Sequence, residues 1–204
     1  MAVPVTADEM ALVTVDPSAE IRALVVDDEK EVADAYALRL KSVCETETAY
    51  TGKQALETVA ESTVDLVLLD RHMPGLSGDE VLRELRDRGF DGRVIMVTAV
   101  DPEFEVVEMP FDDYLCKPMN RDDLHAAVEH QRRVLAYETL GKFFSAESKR
   151  AVLEAEIPDE KRRNREEYQQ LAARAERLES RVSRLLGEDT SMMEDFAEIE
   201  RKET

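Results

Sequence analysis

Asp65-Leu66-Val67-Leu68-Leu69-Asp70 is a run of four aliphatic residues bounded by acids. It shows no apolar–polar alternation, and such a run fits a strand buried on both faces. The same kind of run recurs on either side of it. Ile21 to Val26 ends in Asp27-Asp28, Arg93 to Ala99 contains Thr98, and Asp113-Tyr114-Leu115-Cys116 ends in Lys117-Pro118. Residues 45–50 form a weaker strand candidate. Between these lie segments at helical spacing: 30–42, then 53–61 after the Thr51-Gly52 break, then 79–88 after Pro74-Gly75 and Gly78. Alternating strands and helices predict an α/β fold, a doubly wound parallel sheet covered on both faces.

The 204 residues carry 27 Lys and Arg against 46 Asp and Glu, a formal charge of −19. An apolar content of 43% is enough for a buried core. The acidity opposes any general affinity for DNA, RNA or an anionic membrane, because the field of the whole protein repels polyanions. Only 8 of the basic residues are lysine, and most of the acidic excess reads as a surface adapted to high salt. Cys44 and Cys116 stand apart, with no disulfide framework or zinc spacing. Both are expected as small hydrophobes in apolar strands. Residues 1–20 read as a tail with no secretory pattern, and no apolar run reaches the ~20 residues of a membrane helix. A reducing cytoplasm is the expected compartment, with no membrane partner.

Polar residues gather where the strands end: Asp27 and Asp28, Asp70, Thr98, and Lys117 just before Pro118. In an open parallel sheet, ligands bind beyond the strand carboxyl ends. Three carboxylates meeting there repel one another unless a cation sits among them, and hard oxygen donors suit Mg²⁺. A lysine and a hydroxyl would stabilise a phosphoryl oxygen, and Asp70 is the candidate nucleophile. Taken singly, each residue has a plain explanation as a turn cap, a strand residue or a solvated charge.

The joint pattern Val26-Asp27-Asp28-Glu29, Leu69-Asp70-Arg71-His72-Met73-Pro74-Gly75, Val97-Thr98-Ala99 and Asp112 to Pro118 resembles the receiver domain of two-component response regulators. The resemblance covers residues 21–137 and implies a flavodoxin-like (βα)5 fold. It implies that Asp70 accepts a phosphoryl group from a sensor histidine kinase. It also implies Mg²⁺ held by Asp28 and Asp70, with Asp27 acting through water and the backbone carbonyl of His72 completing the set. Thr98 and Lys117 would bind the phosphoryl oxygens, and Tyr114 would be the aromatic switch that responds to Thr98. The chemistry expected is self-phosphorylation and self-dephosphorylation, not turnover of a separate substrate. A haloacid-dehalogenase-type hydrolase uses similar chemistry, but it wants an aspartate where His72 stands. Thr98 and Lys117 lie 19 positions apart, shorter than is usual for the family, so the fourth helix is expected to be short or irregular. That bears on the common receiver dimer, which uses this helix.

Beyond residue 120 the strand signal disappears. Residues 121–140 read as one helix with Asn120 as N-cap, residues 141–158 as less periodic, and residues 162–186 as a second helix ended by Gly187. Tyr168, Leu171, Ala175, Leu178, Val182 and Leu185 form a short heptad seam. The seam belongs either to a helical hairpin within one chain or to a coiled coil between two copies, which would make a homodimer. Arg174, Arg177, Arg181 and Arg184 form a stripe beside it that the usual i,i+4 pairing does not neutralise. The stripe pairs with acids on another helix or touches nucleic-acid phosphates. Residues 121–187 are close to neutral, with 14 basic and 13 acidic side chains, so this is the one place where a DNA contact remains open. Together with Asn164-Arg165-Glu166-Glu167-Tyr168, the layout is similar to the HalX-type regulators of haloarchaea. The expected organisation is tail 1–20, receiver 21–137, helical HalX-like domain 138–187 and acidic tail 188–204. The expected output is protein–protein contact, with DNA-binding transcription regulation as the alternative.

Overall fold

The computed structural model describes residues 21–99 and 104–187. Its centre is a five-stranded sheet of β1 (Arg22–Val26), β2 (Glu45–Ala49), β3 (Leu66–Asp70), β4 (Arg93–Thr98) and β5 (Asp113–Cys116). The spatial order is β2-β1-β3-β4-β5 and every pairing is parallel. β3 is central and buried along its whole length, as its unbroken apolar run requires.

Successive strand side chains point to opposite faces, and this alternation divides the core in two. Ala23, Val25, Leu66, Leu68, Ile95 and Val97 pack toward α1 (Lys30–Leu40) and α4 (Arg121–Glu156). Leu24, Val26, Val67, Leu69, Val94 and Met96 pack toward α2 (Gly52–Glu61) and α3 (Gly78–Asp87). The sheet is therefore doubly wound, with the flavodoxin-like order. Ser77 opens α3 with a capping box: its hydroxyl accepts from the Glu80 amide while the Glu80 carboxylate accepts from the Ser77 amide. Those hydrogen bonds hold the exposed Glu80 carboxyl below its ordinary value. Among the described residues, a 3-10 turn, Phe104–Glu108, stands where a fourth helix would, in keeping with the short spacing before Lys117.

The helical part differs from the sequence reading in two places. α4 does not stop near residue 140 but runs unbroken through Gly141 to Glu156. An interior glycine costs a helix only about 1 kcal/mol, and packing of α4 against α6 (Glu166–Leu186) outweighs it. The helix ends at Ile157 because the residue before a proline disfavours helical backbone, and Ile157 is extended. The expected boundary at 137/138 falls inside this helix. The second difference is that residues 162–186 are not one helix. A short α5 (Asp159–Arg162) precedes α6, and the Arg162 guanidinium turns back to donate to the carbonyls of Glu154 at 3.0 Å and Ile157 at 3.2 Å. That contact satisfies carbonyls left open at the end of α4.

The heptad seam faces α4 of the same chain. Ala175, Leu178, Val182 and Leu185 are buried, so the C-terminal part is a helical hairpin. Val182, Leu185 and Leu186 join the core that covers the sheet, so the hairpin is packed onto the receiver. Cys44 is buried as expected, just ahead of β2, whereas Cys116 is exposed. β5 is the edge strand and its last residue faces out, which corrects the expectation for Cys116. Among the described residues no helix is long and apolar enough to cross a membrane. Residues 1–20 and 188–204, read above as tails, lie outside the described residues.

Candidate functional site

The carboxyl ends of β1, β3, β4 and β5 bring the predicted residues together. Asp27, Asp70 and Thr98 are buried, while Asp28 is exposed at the rim. One carboxylate oxygen from each of Asp27, Asp28 and Asp70 lies within 4.8 Å of the others. The Lys117 ammonium bridges two of them, donating to Asp27 Oδ2 at 2.6 Å and to Asp70 Oδ1 at 2.8 Å. Register explains how it reaches them. β4 pairs with β5 so that Thr98 lies level with Cys116, and the Lys117 amide donates to the Thr98 carbonyl at 2.7 Å. The Lys117–Pro118 peptide bond that follows is cis.

Backbone amides hold the two buried aspartates in place. Glu29 N–H donates to Asp27 Oδ1 and His72 N–H donates to Asp70 Oδ2, both at 3.0 Å. Burial pushes the Asp70 carboxyl above its ordinary value, and the Lys117 hydrogen bond and charge only partly oppose this. Burial alone would lower Lys117, but its bonds to Asp27 and Asp70 outweigh that and hold it above its ordinary value. One lysine thus faces three carboxylates. The charge left over and the all-oxygen donor set fit a divalent cation such as Mg²⁺.

Two neighbours of Asp70 shape its exit loop. Gly78 packs so closely that a Cβ there would collide with the Asp70 carbonyl oxygen, which leaves room only for glycine. Arg71 turns away from the site and pairs with Asp79 at 3.1 Å. The same guanidinium donates to the Tyr114 hydroxyl; burial raises the phenol's pKa and Arg71 works against that rise. Tyr114 is half-buried, with its ring centroid 5.6 Å from that of Phe111. Arg71 therefore ties the predicted switch residue to the loop after Asp70. Sequence reasoning missed it, because a lone arginine after a strand reads as solvated. The His72 side chain is exposed, and His125 caps a neighbour instead, its Nε2 lying 2.8 Å from the Arg39 carbonyl oxygen.

The arginine stripe divides. Arg184 makes a two-pronged contact with the fully buried Asp65, at 2.5 and 2.9 Å. Arg181 lies 3.4 Å from the same carboxylate and donates to Asp91 at 2.8 Å. Burial would raise Asp91, but the bond and charge of Arg181, helped by Lys142, hold it below its ordinary value. Arg181 and Arg184 are thus engaged within the chain and are not free output contacts. The acids they meet precede β3 and β4, and none lies on a helix as the sequence reading expected. Arg174 and Arg177 remain exposed and make no ion pair among the described residues.

Comparison with known proteins agrees with this geometry. Residues 23–129 match the response regulator receiver domain family, and residues 133–200 match the HalX domain. A Haloferax volcanii protein named "Putative transcriptional regulator" is 43% identical over 147 residues, 71% of this chain and 25% of that protein. The chain therefore spans a quarter of the length of that relative. The Francisella response regulator 1452 receiver domain is 30% identical with a TM-score of 0.51, covering 54% of this chain and 95% of its own. A CheY-like response regulator receiver domain protein from Methanospirillum hungatei is 26% identical with a TM-score of 0.55, covering 58% and 98%. Sheet order, carboxylate cluster and both family matches agree, and the chain belongs to the two-component response regulators, with a receiver domain followed by a HalX domain.

Proposed function

We propose that Asp70 accepts a phosphoryl group from a histidine of a sensor kinase, and that the helical hairpin carries the resulting signal to a protein partner. The observation that carries this reading is the Lys117 bridge between Asp27 and Asp70. It places an ammonium beside the one buried carboxylate that ends the central strand. An Asp70 oxygen forms the new O–P bond as the P–N bond to the donor breaks, and the electron pair stays on the imidazole nitrogen. Lys117 then follows the charge from the carboxylate to the phosphoryl oxygens. Thr98, buried at the end of β4, supplies a hydroxyl donor, and Tyr114 responds to its movement. Asp28 and Asp70 would hold Mg²⁺, helped by Asp27 and the His72 carbonyl, and the ion would supply charge neutralisation for the transfer.

Intact-mass analysis with acetyl phosphate and Mg²⁺ tests the acceptor. The wild-type chain gains one phosphoryl group and Asp70→Asn gains none. Equal gain in the variant sinks the assignment. For the output, DNA contact by four stripe arginines is reduced to Arg174 and Arg177, since Arg181 and Arg184 hold Asp65 and Asp91. Protein contact is the better supported output. The working compartment consistent with this reading is the cytoplasm, where the kinase's phosphohistidine is presented.

A further inference from the structure

Far from Asp70, a groove of about 840 Å³ lies between the receiver and the hairpin. The last turns of α2 and α3 wall one side, and α4 and α6 wall the other. Its charge is the reverse of the chain's. Arg88, Lys142, Arg174, Arg177 and Arg181 line it against a single acid, Asp91, in a protein of net charge −19. A concave site lined by one sign of charge focuses the field and gathers ligands of the opposite sign. Arg88 is engaged by Glu84, and Lys142 and Arg181 by Asp91. Arg174 and Arg177 meet no acid among the described residues and stand exposed one helical turn apart. Between the cations the floor is apolar, formed by Leu56, Val59 and Leu178.

The charge calls for an anionic occupant, and the apolar floor calls for one with an apolar face. A nucleic-acid duplex would extend past the groove, and the net charge of −19 opposes so large a polyanion. A short acidic segment keeps its charge inside the groove, and an amphipathic helix laid in a groove buries its apolar face at the same time. We propose that this groove docks an acidic peptide segment with an apolar face, presented by a partner protein. This rests on the reading of the hairpin as the output contact and needs no chemistry at Asp70.

The test uses the full chain and a labelled amphipathic peptide of about 18 residues, five helical turns, with Glu on one face and Leu on the other. Binding is followed by fluorescence anisotropy. Wild type should bind it one to one. Arg174→Glu/Arg177→Glu, and separately Arg174→Gln/Arg177→Gln, should weaken binding about tenfold or more, with circular dichroism unchanged. A peptide with Gln in place of Glu should lose a similar factor on the wild-type chain. Equal binding by wild type and both double variants overturns the proposal. Tighter binding of a DNA duplex, lost in the same variants, assigns the groove to nucleic acid instead. Peptide binding that appears only after removal of residues 188–204 assigns it to the chain's own C-terminal residues. Asp70→Asn should bind the peptide like wild type, so failure of the phosphoacceptor reading is scored separately by mass.

Discussion

The central strand β3 separates two carboxylate sites that treat the same residue type in opposite ways. At its start, one buried carboxylate, Asp65, receives both prongs of Arg184, lies against Arg181 and accepts the Arg22 amide at 3.1 Å. Cation exceeds anion there and the site is closed. At its end, three carboxylates cluster and Lys117 bridges only two of them, Asp27 and Asp70, so anion exceeds cation at the solvent rim. A buried carboxylate saturated with counter-charge is structural, whereas one left short of counter-charge is ready for a divalent ion or a reacting group.

That contrast can be broken by experiment. Asp65→Ala removes the carboxylate that receives both prongs of Arg184 and leaves Arg181 with Asp91, and losing one partner of a buried ion pair costs about 3–5 kcal/mol. Denaturant unfolding should show this loss, and a loss under about 1 kcal/mol would mean that the ion pairs at the start of β3 do not hold the fold. On the proposed reading, Mg²⁺ should act on the other end alone. Above its dissociation constant each tenfold rise should add about 1.4 kcal/mol to wild-type stability, and Asp28→Asn should remove this dependence. Without Mg²⁺, Asp28→Asn relieves repulsion at the rim, so its stability should match or exceed wild type by up to about 1 kcal/mol. Destabilisation would contradict the excess of negative charge.

The smallest effect is carried by the cysteines, one at each end of the sheet. Burial pushes the Cys44 thiol up to about 12, while Cys116 is exposed. A thiol reagent at pH 8 should label Cys116 and spare Cys44; the reverse order would place Cys44 outside the core. The raised pKa of Cys44 favours the neutral thiol in the folded state. Its contribution to stability is complete below the ordinary thiol value of 9.0 and is lost as pH rises toward about 12.

The open end was legible in the sequence because its residues sit at strand termini, where an apolar run stops and a polar residue must follow. The register that joins Thr98 to Lys117 follows from the same runs, and the short spacing between them is in keeping with the 3-10 turn among the described residues. The closed end was not legible. Asp65 and Arg184 lie 119 positions apart, and helical spacing rules see only neighbours three or four residues away. The continuity of α4 was hidden for a related reason. Gly141 looks like a stop, and only packing against a helix some 30 residues later overrides it. Arg71 was missed because its partners, Asp79 and Tyr114, come from two separate elements.

The unbroken α4 has a mechanical meaning. Its 36 residues make a rod about 54 Å long at 1.5 Å per residue. It is bedded in the core that covers the sheet from Leu124 through Leu140, and its last 16 residues, about 24 Å at 1.5 Å per residue, carry the hairpin bend. A pivot of about 5° near Leu140 sweeps the far end through about 2 Å. A displacement too small to disturb the packing beside the sheet is thereby magnified at the tip.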